Sequence, residues 1–100
     1  MKQVVDGKTY NTETATEIHN HNNGLGKGDF RYLDESLYKT PKGRFFLAGE
    51  GGAMTRYAKS YGNTSTGGSG IQAIDPELAL MWCEEHRVDT IADHFEIENA

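Results

Sequence analysis

A chain of 100 residues, 36% hydrophobic and 25% charged with ten aromatics, has the size of one domain and enough apolar side chains to fold, which excludes a disordered or low-complexity protein. No stretch approaches the ~18 apolar residues of a membrane span, and MKQVVDGKTY lacks the apolar run of a signal peptide, so a soluble cytoplasmic protein without membrane contact is expected. Cys83 is the single cysteine, which excludes an internal disulfide; the net charge of −5 is uneven, with eight acids against Arg87 alone in residues 75–100 and a slight basic excess before them.

Gln3-Val4-Val5, Asp6-Gly7 and Lys8-Thr9-Tyr10 read as a short strand or tight hairpin, since Asp-Gly is a strong turn pair. Asn11 and Thr12 suit a helix N-cap, and Thr14 with Glu17 has capping-box spacing. A two- to three-turn helix is therefore predicted, with Ala15, Ile18 and His19 or Asn22 as a thin apolar stripe and Gly24 at its end. Gly24 to Gly28 is a flexible connector. Asp29 to Gly52, DFRYLDESLYKTPKGRFFLAGEGG, predicts the hairpin around which the chain is organised. Its strands are Phe30 to Lys39 and Arg44 to Ala48, joined by Thr40-Pro41-Lys42-Gly43, where proline presets φ and glycine accepts the left-handed closing angle. The first strand alternates poorly, which predicts a β-bulge near Asp34 that brings Tyr32 and Leu37 onto one side. Phe45 to Ala48 is apolar on both sides, as in a central strand covered on both faces or at an interface.

Ala53 to Lys59 reads as one or two helical turns, Ser60 to Gly70 as a mobile surface loop, and Ile71 to Ile74 as a short strand added to the hairpin. Asp75-Pro76-Glu77 is the clearest helix start in the chain. That helix should bury Leu78, Ala79, Met81 and Trp82, turn Glu84 and Glu85 to water, and end at His86 and Arg87. Asp89 looks like a second cap, for a short helix with Ile91, Ala92 and Phe95. The fold class is α+β: a three- or four-stranded, mostly antiparallel sheet on a central hairpin, packed by a C-terminal helix, with a short N-terminal helix.

The glycine loops at Gly24 to Gly28 and Gly49 to Thr55 match no phosphate fingerprint, because one leads into a strand and the other lacks the lysine. Cys83, His86 and His94 allow a metal site to be drawn, but a small thiol and helix-end histidines explain them as well; His19 and His21, two apart, would diverge on a helix. A Cys83–His86 nucleophile pair has no orienting third group. Asp34, Glu35 and Glu50 could serve acid–base hydrolysis, yet so short a chain offers little room for a substrate cleft. No enzymatic activity, cofactor or metal is therefore expected. Lys27, Arg31, Lys39, Lys42, Arg44, Arg56 and Lys59, interleaved with Tyr32, Tyr38, Phe46, Tyr57 and Tyr61, make a small nucleic-acid-binding protein the alternative reading.

The runs DGKTYNTETATEI (Asp6 to Ile18) and LYKTPKGRFFLAGEGGAMTRYA (Leu37 to Ala58), with the acidic Trp-bearing helix after them, resemble small, mostly uncharacterised proteins of phages and other mobile elements. What that resemblance implies is a setting, since small acidic proteins from such sources often inhibit host defence machinery, anti-CRISPR proteins among them; it brings no catalytic residues. Together with the charge map it predicts a protein-binding inhibitor whose acidic flank docks on a basic, nucleic-acid-binding surface of a host protein. Glu77, Glu84, Glu85, Asp89, Asp93 and Glu96 would carry the contact, and a homodimer through a sheet edge or the Phe45–Phe46 strand is compatible with it.

Overall fold

The computed structural model describes residues 1–97. The expected N-terminal hairpin is present: β1 (Lys2–Val5) and β2 (Lys8–Asn11) pair antiparallel about Asp6-Gly7. The expected helix after it is absent. Thr16 to Asn22 forms strand β3, while the Thr14–Glu17 spacing serves no cap: Asn11 instead accepts from the N–H groups of Glu13, Thr14 and Ala15 to make a turn. Thr16 and Ile18 are β-branched, and the stripe of Ala15 and Ile18 was too thin to hold a helix against a sheet edge.

Strands β4 (Leu33–Lys39) and β5 (Phe45–Gly51) form the predicted central hairpin, with Gly43 at φ +84° and its N–H donating to the Thr40 carbonyl at 2.9 Å. Their register is unbroken, so no bulge lies at Asp34. The irregularity is across the ladder, between Glu17 and His19. There the extra residue lets Ile18 and His19 both face the helical side, while Glu17 turns back to accept from Tyr38 Oη at 3.1 Å.

Ala53 to Ala58 makes turns rather than a helix. Thr55 Oγ1 and the Thr55 N–H both bond the Gly52 carbonyl, and Tyr57 is drawn inward, leaving Met54 exposed. The expected loop is a small hairpin, β6 (Lys59–Tyr61) and β7 (Thr64–Thr66), turned at Gly62-Asn63. β8 (Gly68–Ile74) is longer than expected and pairs with β5, giving an antiparallel sheet of order β3-β4-β5-β8.

Helix α1 (Pro76–Glu85) starts where predicted: Asp75 Oδ1 accepts from the Leu78 N–H at 2.8 Å. Its buried stripe is Ala79, Trp82 and Cys83, one residue round from the expected one, so Leu78 and Met81 face water. Arg87, at φ +53°, takes the left-handed position after the helix, and Val88 N–H donates to the Cys83 carbonyl at 3.0 Å. α2 (Ile91–His94) has Thr90 rather than Asp89 at its N-cap position, with no side-chain capping hydrogen bond.

Two cores lie on opposite faces of β5. Leu37, Phe45 and Leu47 meet Ala79, Trp82, Cys83 and Val88, with Phe95 stacked on Phe45 at 4.9 Å; Phe46, Ala48 and Ile71 meet Tyr10 of the β1–β2 hairpin, 5.4 Å from Phe46. The α+β class, the central strand covered on both sides and the packing helix are as expected. No helix among the described residues is long and apolar enough to cross a membrane.

Candidate protein-docking face

The position of α1 is set from inside. Leu33, Glu35, Leu37 and Lys39 alternate onto the helical face of β4. Glu35, only 1% exposed, is held there by three partners. Tyr57 Oη donates to Oε1 at 2.8 Å, Trp82 Nε1 donates to Oε2 at 3.0 Å, and Arg56 Nε lies 3.6 Å from Oε1. A buried indole N–H needs an acceptor, and this one selects which stripe of α1 turns inward. The Tyr57 hydroxyl is pushed well above its ordinary range, first by burial and then by the Glu35 charge beside it. Gly49 faces Glu35 across the ladder, and a Cβ there would overlap the Asp34 carbonyl oxygen and lie 2.6 Å from Glu35 Cα.

Beside the clamp, His19 and His21 share the helical face, because two residues apart is one side of a strand. His21 stacks on His86 at 4.0 Å, Trp82 meets His86 edge-on at 4.5 Å, and His19 meets Trp82 at 5.9 Å. Burial, and next the proximity of His21, hold His86 below its ordinary value of 6.5; Glu85 and Glu35 act in the opposite sense. The folded protein therefore takes up this proton less readily than the unfolded chain, so stability is full above about pH 6.5 and falls as the pH drops below it. The denaturation midpoint is expected to fall between about pH 7.5 and 5.5, and His86→Gln to flatten that slope. An unchanged slope in the variant would remove His86 as its cause.

The outer surface of α1 and α2 carries the six acids singled out in the sequence. All are exposed, and none has an ion pair among the described residues. Glu84, Asp89 and Glu96 line one groove of about 580 Å³ with Leu80, Ile91 and Ile97. Glu77, Glu85 and Asp93 lie outside that lining. Leu78, Met81 and Ile97 are each at least half exposed, adding an apolar element that sequence reasoning missed by assigning Leu78 and Met81 to the core.

The other candidates fare differently. Cys83 is fully buried, and burial followed by the Glu84 charge pushes its thiol pKa up, away from a reactive thiolate. Among the described residues no three His, Cys, Asp or Glu side chains converge with metal-ligand geometry, the Cys83–His86–His94 set included. Both oxygens of Glu35 are occupied from within the core. Of the aromatics that suggested a stacking platform, Tyr32, Phe46 and Tyr57 are buried, Tyr38 is half-buried against Phe46, and Tyr61 alone is exposed. Glu50, 2.8 Å from Tyr32 Oη, pushes that hydroxyl up to about 12. No protein family, curated protein or solved structure matches this chain.

Proposed function

We propose that the chain is a non-enzymatic protein-binding module that docks the α1–α2 face on a basic surface of a partner. The observation that carries this reading is the set of six exposed acids without an ion pair among the described residues, three of them lining an open groove with Ile97, while Leu78 and Met81 expose apolar surface elsewhere on α1. Charge of one sign steers encounter, while desolvated apolar contacts hold the complex. The finer proposal, supported by the resemblance to mobile-element proteins, is an inhibitor of a host defence protein, anti-CRISPR-like, that covers a nucleic-acid-binding site.

The test is capture from host lysate by tagged chain, with and without nuclease, beside the variant Glu84→Lys/Glu85→Lys/Asp89→Lys. One protein partner surviving nuclease is expected, with the variant binding at least about tenfold more weakly, some 1.4 kcal/mol. Undiminished capture by the variant would end the reading. Partners lost with nuclease would transfer it to a nucleic-acid-binding protein.

A further inference from the structure

The face of the sheet away from α1 carries a second concavity. Between the β1–β2 and β4–β5 turns lies a cavity of about 480 Å³, lined by Lys8, Thr9 and Tyr10 from one hairpin and Thr40, Lys42 and Arg44 from the other. The chain has 15 acids and 10 bases, yet no carboxylate lines this cavity. Three bases elsewhere find acids, Lys27 with Glu50, Arg31 with Asp29 and Arg56 with Glu35, whereas Lys2, Lys39, Lys59 and Arg87 have no ion pair among the described residues but are not gathered in this cavity. Lys8, Lys42 and Arg44 have neither an ion pair nor a side-chain hydrogen bond among the described residues.

The walls are fixed by the backbone rather than by those charges. Thr40 Oγ1 accepts from the Arg44 N–H at 3.0 Å, and the Thr40 N–H donates to the Arg44 carbonyl at 2.7 Å. Lys8 is set by its pairing with Val5, and Tyr10 by its edge-on packing against Phe46. The fold thus brings three like charges from two hairpins around one concavity and supplies no counter-charge of its own. Mutual repulsion opposes that arrangement, and an anion relieves it.

We propose that this cavity binds phosphate oxyanions, Arg44 donating as a planar fork while Lys8 and Lys42 act as point charges from opposite sides. Tyr10, 6% exposed, is wall rather than stacking surface, so the ligand is held by its phosphates and not by a base. Such groups come either from an oligophosphate of nucleotide size or from the backbone of a single strand.

The two sources separate by titrating the whole chain with inorganic pyrophosphate and with a single-stranded oligonucleotide, beside Lys42→Glu/Arg44→Glu and, as a charge-matched control, Lys2→Glu/Lys59→Glu outside the cavity. Pyrophosphate binding below about 1 mM, with the oligonucleotide no tighter, supports the small oligophosphate. An oligonucleotide at least about tenfold tighter, with a log–log salt slope near −2 as expected for three cations on a single strand, supports the backbone. Either way the double variant should bind at least about tenfold more weakly and the control within about twofold of wild type. Binding of neither probe, or equal loss in the control, overturns the site. Both sets of substituted side chains are exposed, so the variants should fold.

Discussion

Glu35→Ala is expected to lower the stability of the fold by about 3–5 kcal/mol, the range for breaking a buried charged cluster from one side. The loss is not that of one ion pair, because the Arg56 side chain is 43% exposed and its charge regains water. It comes from the Tyr57 hydroxyl and the Trp82 indole N–H, both left buried without their acceptor, and from the space opened beneath α1. For a domain of this length about 4 kcal/mol corresponds to roughly 16–32 °C in melting temperature, a large share of the 5–15 kcal/mol available. Glu35→Gln should cost less, about 2 kcal/mol, since the amide oxygen still accepts from the Trp82 indole and the NH₂ group can donate to the Tyr57 hydroxyl, leaving the lost charge opposite Arg56 as the main deficit. Trp82 is the single tryptophan, so its emission reports directly on the loosened contact. A cost below about 1 kcal/mol for Glu35→Ala would mean that the clamp does not position α1.

Legibility in the sequence followed the range of the interactions. The central hairpin and the start of α1 were readable because their determinants are local: Thr40-Pro41-Lys42-Gly43 carries its own turn chemistry, and Asp75-Pro76 its own cap. The rotation of α1 was not readable, because Ala79, Trp82 and Cys83 and the alternative stripe through Leu78 and Met81 have equivalent helical spacing. Glu35, 47 residues earlier in the chain, decides between them through the indole N–H.

At the N-terminal segment local signals conflicted with tertiary ones. Thr14 and Glu17 have helical capping spacing, but pairing with β4 engages every residue from Thr16 to Asn22 except the bulged Ile18. That error also concealed the histidine cluster, since His19 and His21 diverge on a helix and coincide on a strand. Of the candidate docking face, the acids were legible as a charge run. The groove was not, because it depends on the turn at Arg87 that folds α2 back beside α1.

Gly49→Ala is the second substitution with a large expected effect, and comparison with Gly43→Ala separates two reasons for glycine. Gly43 needs its left-handed φ of +84°, but open space surrounds the position, so alanine there should cost only about 1–2 kcal/mol in backbone strain. Gly49 lies in the middle of β5, between the partners β4 and β8, where any residue could adopt the backbone conformation. What it cannot accommodate is volume, because the Asp34 carbonyl and Glu35 Cα occupy the place of a side chain, and neither is the free end of a flexible group. Relief requires β4 and β5 to separate beneath Glu35, straining the ladder and the Tyr57 and Trp82 contacts together. The expected cost is about 3 kcal/mol, at the upper end for overpacking, accompanied by a change in Trp82 emission that Gly43→Ala should not produce. Denaturant melts and fluorescence of the two variants decide the matter. If Gly49→Ala proves no more damaging than Gly43→Ala, or leaves Trp82 undisturbed, close approach of the strands is not what requires glycine at position 49.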